Sequence, residues 1–319
     1  MEDERKRDLK YDLKYLRVKS SHLSSEILGL LTVFNFNRSF NVKTTRRVRY
    51  CEDDQRLFLN IYQQRNRDMK KKQPVFVYIH GGGWMSGSPN EREAFTTRVA
   101  NSGYFVVGLF YGLAPFYSHP DFIENIYKAF AWLVEHQEEY NIEVDSIFVG
   151  GESAGAHLSA MAGAISTNKE YNAKFNLDER SRNIKIKGLI LISGVYDMVK
   201  VINTGFRNMN FYVESFCGKP IMMLSEEKRK EVSPINFVTK DFPPSFVVLA
   251  ERDKLAVSSI ELMWKFEDIG VDYDYYFGKG FAAVHAFPVA QILKISREAM
   301  TGVHKFLKEI EDSNKHGDE

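Results

Sequence analysis

Gly151-Glu152-Ser153-Ala154-Gly155 is the stretch that decides how this chain reads. It follows Ser146-Ile147-Phe148-Val149-Gly150, an apolar run with the length and composition of a short buried strand. It precedes residues 154–164, whose small side chains predict a tightly packed helix. A G-x-S-x-G pattern between a strand and a helix puts the serine on a sharp turn, with its hydroxyl at the sheet edge. Glycines two residues to either side keep side chains out of that turn. The helix starting there aims backbone N–H groups and a positive dipole end at any developing anion. The same five residues can arise by chance in a Gly- and Ser-containing loop, so the rest of the chain has to supply the chemistry.

Toward the N-terminus, Pro74-Val75-Phe76-Val77-Tyr78-Ile79 is a continuous apolar run, the signature of a strand inside a parallel sheet. It ends in His80-Gly81-Gly82-Gly83-Trp84. Consecutive glycines cost unfolded-state entropy, and they are useful where backbone N–H groups must approach a ligand closely. Val48–Tyr50 and Leu57–Tyr62 predict two strands joined by a polar turn. Residues 1–40 predict a helical arm outside the sheet, with Leu9, Leu13 and Leu16 on a charged background and a patch at Ile27–Phe34.

Toward the C-terminus, strands are expected at Tyr104–Tyr111, Ile186–Ser193, Pro243–Ala250 and Tyr273–Phe277. Helices are expected at Ile123–His136, Val257–Ile269 and Ala290–Ile310, and Thr167–Asn183 reads as a surface excursion. Residues 198–235 interrupt the alternation. Their Phe206, Phe211, Tyr212, Phe216, Met209, Met222 and Met223 suit either a packed insertion or a lid over an apolar pocket. The alternation predicts an α/β fold, a mostly parallel central sheet with helices on both faces. The expected organisation is an arm at 1–45 and one catalytic domain at 46–319, carrying a lid insertion at about 198–235.

The chain has 319 residues, 44% of them hydrophobic, and a formal net charge of +1. That balance gives no electrostatic reason to expect nucleic acid or an anionic membrane as partner. The charged residues 2–7 are followed by no signal-peptide core, and no apolar run is long enough to span a bilayer. Cys51 and Cys217 form no metal or redox pattern, which fits free thiols in a cytoplasmic protein.

A serine hydroxyl needs a base to become a nucleophile. Among eight histidines, His285 is the best placed, in a loop after the final expected strand. His157 reads as a packed helix residue, His80 as a brace for the glycine loop and His119 as a pocket-mouth residue. His22, His136, His304 and His316 lack context. A carboxylate must orient the imidazole. Asp253 follows a strand and precedes His285, giving the order Ser, Asp, His; Glu251 is its near competitor and Asp197 its distant one.

With those residues assembled, the chain from about Val48 to the last helix resembles the α/β-hydrolase superfamily, and within it the hormone-sensitive-lipase-like esterases. The resemblance rests on His80-Gly81-Gly82-Gly83-Trp84, Tyr111-Gly112-Leu113-Ala114-Pro115, the Ser153 motif, Asp253 and His285-Ala286-Phe287. It implies Ser153 as nucleophile, Asp253 and His285 as its partners, and Gly82, Gly83 and Ala154 N–H groups as oxyanion donors. It implies a small-molecule ester as substrate, of short to medium acyl length, and neither cofactor nor metal. In two places the chain departs from the family pattern. Gly112 stands where the family usually has Arg, and Ala286 where it often has Gly. The glycine loop with Trp84 also resembles arylformamidases, which act on N-formylkynurenine-type amides. A ligand-binding relative without catalysis is the non-enzyme alternative, against which the retention of Ser153, Asp253 and His285 argues. Oligomeric state is not legible.

Overall fold

The fold is that of a computed structural model describing residues 11–20 and 35–316. Eight strands form one sheet: β1 (Val42–Arg49), β2 (Phe58–Gln64), β3 (Gln73–Ile79), β4 (Phe105–Phe110), β5 (Ile142–Glu152), β6 (Lys185–Ile192), β7 (Ser245–Ala250) and β8 (Tyr273–Gly278). Their spatial order is β1-β2-β4-β3-β5-β6-β7-β8. β1 and β2 pair antiparallel, β2 joins β4 antiparallel, and every later pairing is parallel. The strands of the parallel part therefore all end on the same edge, where helices and loops converge.

Alternation along the strands feeds two cores. Val75, Val77 and Ile79 point to one face, with Val107, Val149 and Leu191. Phe76 and Tyr78 point to the other, with Phe148, Ile190 and Val248. The first face is covered by the helices Asp121–Glu135, Ala154–Thr167 and Ala256–Ile269, through residues such as Phe122, Phe130, Leu158 and Phe266. The second is covered by Glu93–Asn101 and Lys294–His316, through Phe95, Val99, Met300 and Phe306. Each such side chain fully buried contributes roughly 1.5–3 kcal/mol. The helix Ala154–Thr167 is buried on every side, which its alanines and glycines allow.

Several expectations are corrected. β1 begins at Val42, inside the stretch assigned to the arm, because an edge strand of Lys, Thr and Arg carries little apolar signal. Residues 167–183 are not merely a surface excursion: Tyr171, Phe175 and Leu177 are buried. The last helix starts at Lys294 rather than Ala290, because Pro288 sits in a separate short turn. Residues 11–20 are helical, but Leu13 and Leu16 are each 60% exposed. The face that packs is Tyr11, Tyr15 and Val18, at i, i+4 and i+7. Leu9 and the Ile27–Phe34 patch lie outside the described residues.

The insertion forms the helices Met198–Val201, Met209–Cys217 and Glu226–Glu231. Met209, Phe211, Tyr212 and Phe216 are buried, whereas Met222 and Met223 are 63% and 60% exposed and line nothing. Tyr11 sits on this insertion, its hydroxyl 2.9 Å from Ser215 Oγ and its ring 5.0 Å from Phe211. Among the described residues, no helix is long and apolar enough to cross a membrane.

Candidate active site

The strand β5 runs straight into Ser153, which takes φ 55° and ψ −116° before the helix begins. A non-glycine residue in that region is strained, and surrounding contacts must hold it there. The Ser153 N–H bonds Ile192 O at 2.8 Å, locking the turn to the end of β6. A Cβ on Gly151 or Gly155 would collide with the carbonyl oxygen of Ile79, so the two glycines let the turn press against β3.

The glycine loop leaves β3 beside it. Gly82 has φ 125°, which only glycine adopts readily, and its carbonyl accepts from the Met85 and Ser86 N–H groups. The N–H of Gly81 donates to Glu152 Oε1 at 2.7 Å. Gly82, Gly83 and Ala154 line one cavity of about 260 Å³ together with Ser153 and His285.

His285 and Asp253 come from the loops after β8 and β7. His285 Nδ1 lies 2.9 Å from Asp253 Oδ2. The Asp253 side chain is fully buried and that of His285 is 26% exposed. Burial pushes the Asp253 carboxyl up, but the hydrogen bond and charge of His285, with the Leu255 N–H and the Ser193 hydroxyl, hold it below the usual carboxylate range. An ionised carboxylate on Nδ1–H leaves Nε2 as the basic nitrogen.

The competitors are placed elsewhere. Glu251 is exposed and accepts the Gly280 N–H at 2.7 Å. Asp197 caps the helix Met198–Val201 through the Val199 and Lys200 N–H groups. His80 braces the glycine loop as expected: it is buried, contacts Gly81 O at 2.7 Å and stacks on Tyr111. Burial lowers its pKa to about 4. His157 is a packed helix residue, bonded to Val232 O at 2.9 Å, with burial lowering its pKa to about 3. His119 takes no part in the cavity wall and instead pairs with Glu231 at 2.8 Å inside the insertion.

Glu152, Arg92 and Ser193 support the site without a signal in the sequence, while Phe206 and Tyr212, read there as lid candidates, reach it from the insertion. Glu152 is buried under the elbow, where it accepts from Gly81 N, from Tyr78 OH at 2.6 Å and from Arg92 Nε at 2.5 Å. Arg92 lies sixty residues upstream of Glu152 in a segment with no motif. Phe206 meets the His285 ring edge-on at 4.9 Å. Tyr212 lies so close to Gly83 that any side chain there would strike its ring. Ser193 accepts the Ala286 N–H at 3.1 Å. The two departures from the expected pattern are accommodated. The Tyr117 ring occupies the space beside Gly112, with its hydroxyl on Asp54. Ala286 takes the left-handed φ of 53° that glycine would favour.

Residues 59–261 match the BD-FAE family model, a span that holds Ser153 and Asp253 but not His285. Esterase LipC of Mycobacterium tuberculosis is 30% identical over 210 residues, covering 65% of this chain and 51% of that protein. The probable carboxylic ester hydrolase LipM of the same organism is 25% identical over 209 residues, covering 65% of this chain and 48% of LipM. The chain thus spans about half the length of the curated relatives it matches. Among solved structures, esterase B from Lactobacillus rhamnosis superposes with a TM-score of 0.86 at 20% identity, over 97% of this chain and 99% of that one. An esterase from Pyrobaculum calidifontis gives 0.72 at 23% identity, over 92% and 93%. These likenesses establish the fold, and the match over more than half of the chain establishes the family: this chain belongs to the BD-FAE family and has the α/β-hydrolase fold.

Proposed function

We propose that the protein hydrolyses carboxylic esters, with Ser153 as nucleophile and His285 and Asp253 as its base and orienting acid. The observation that carries this reading is the strained Ser153 turn, which opens into the same cavity as an imidazole held on a buried carboxylate. His285 Nε2 takes the Ser153 proton as Oγ attacks the acyl carbon. The oxyanion is received by the N–H groups of Gly82, Gly83 and Ala154. The alcohol leaves with the proton from His285, and water then cleaves the acyl-enzyme by the same route.

The cavity supports short- to medium-chain acyl groups. Its volume of about 260 Å³ falls below the ~300–1,000 Å³ typical of sites for drug-sized ligands. Val195, Phe206, Met209 and Tyr212 supply its apolar wall. The helical arm and the insertion act as one cap, joined where Tyr11 meets Phe211 and Ser215. The free thiols of Cys51 and Cys217 suit a reducing, cytoplasmic setting. Comparing kcat/KM across p-nitrophenyl esters from acetate to palmitate, and for N-formylkynurenine, tests the reading. Rates should peak at short or medium chains and fall toward palmitate. A preference for palmitate, or for the formamide, contradicts it.

A further inference from the structure

We propose that Ser193 is a positioning residue for His285: its buried side-chain oxygen holds the backbone next to that histidine. The inference rests on the reading of Asp253 and His285 given above. Ser193 follows β6 directly, is completely buried and holds φ 49°, a conformation that disfavours a residue with a Cβ. Its own N–H is anchored to Val248 O at 2.8 Å, at the strand that leads to Asp253. Its Oγ accepts the N–H of Ala286, the residue after His285, at 3.1 Å. The same hydroxyl is among the groups that hold the Asp253 carboxyl below its usual range. The chain of contacts therefore runs from Val248 O through Ser193 to the Ala286 N–H, next to His285, whose Nδ1 meets Asp253.

Glycine would satisfy the backbone at position 193 without strain. A buried serine in its place supplies a hydroxyl between two loops that must hold their side chains in register. Other charged groups of the acid loop are engaged away from this point. Glu251 takes the Gly280 N–H, Arg252 lies over the Phe281 ring and Lys254 donates to Gly205 O. Ser193 does not line the cavity, so its effect has to pass through His285.

The test uses the full chain with Ser193→Gly and Ser193→Ala, measuring thermal stability, kcat, KM and the pH profile of kcat/KM. Ser193→Gly should be at least as stable as the parent, since it relieves the backbone, yet lose kcat by on the order of tenfold to a hundredfold. KM should stay within about twofold. With His285 held less firmly on Asp253, the imidazolium loses part of its stabilisation, so the acid limb moves to lower pH in both variants. A labelled and active parent with an unchanged kcat and acid limb in Ser193→Gly overturns this inference alone. A parent that takes no serine-directed fluorophosphonate label overturns the hydrolase reading, and this inference with it.

Discussion

The sheet edge that carries Ser153, Asp253 and His285 and the cap above it are fixed by different forces. At the edge, single atoms are held by buried hydrogen bonds: Glu152 to Gly81, Asp253 to His285, Ser193 to Ala286. In the cap, whole aromatic faces meet: Tyr11 on Phe211, Phe216 stacked on Phe122, Phe206 edge-on to His285. Buried polar contacts are directional and costly to break, whereas apolar contacts are broad and tolerate repacking. The edge should therefore control the rate of chemistry, and the cap which acyl groups reach it.

The largest expected effect is at the edge. Ser153→Ala should lower kcat by on the order of 10⁶ with no loss of folding, read by initial rates beside circular dichroism. Activity within about tenfold of the parent would place the nucleophile elsewhere.

Asp253→Asn comes next, at roughly 10⁴ in kcat, because an amide cannot stabilise the imidazolium or hold the ring proton on Nδ1. Glu251→Gln, two residues away but turned to Gly280, should stay within about threefold. The reverse ranking would move the acid to Glu251.

The edge also makes a stability prediction. Glu152→Gln removes the carboxylate that Arg92 contacts at 2.5 Å in a buried site. Leaving a buried charge wholly unpaired costs about 3–5 kcal/mol; Glu91 Oε2, 3.3 Å from Arg92 Nη1, keeps part of the compensation, so the loss read from the denaturant midpoint should lie below that range. A change below about 1 kcal/mol would show that water reaches this pair and screens it.

The smallest effects belong to the cap. Phe206→Ala and Tyr212→Ala enlarge the cavity wall and should shift the best p-nitrophenyl ester toward longer chains, each accommodated methylene adding about 0.8 kcal/mol. Removing residues 1–20 frees Phe211 and Ser215 from Tyr11 and should flatten the profile in the same direction. An unchanged profile in a folded truncated chain would separate the arm from acyl selection.

The same contrast explains what the sequence could reveal. Val75–Ile79 and Leu189–Ile192 announce buried strands because a two-sided sheet needs continuous apolar runs. Ser153, Asp253 and His285 can be singled out because each follows a strand, in the order nucleophile, acid, base that their residue types suit. Arg92 and Ser193 are not, since each acts on a partner 60 or 93 residues away that only tertiary closure brings near. The arm misleads for a related reason. Leucines look like the buried face, yet Tyr11, Tyr15 and Val18 are the residues that pack on the core, Tyr11 against Phe211 of the insertion. A lid methionine is equally ambiguous, and Met222 and Met223 turn outward while Met209 turns in.

If Ser153 is an activated nucleophile facing this cavity, it should take a covalent label. The intact protein is treated with a serine-directed fluorophosphonate at neutral pH, and the adduct is located by peptide mass spectrometry. One adduct per chain is expected, on Ser153, lost in Ser153→Ala and strongly slowed in His285→Ala. A parent protein that takes no label, or takes it on a serine outside the cavity, would contradict it.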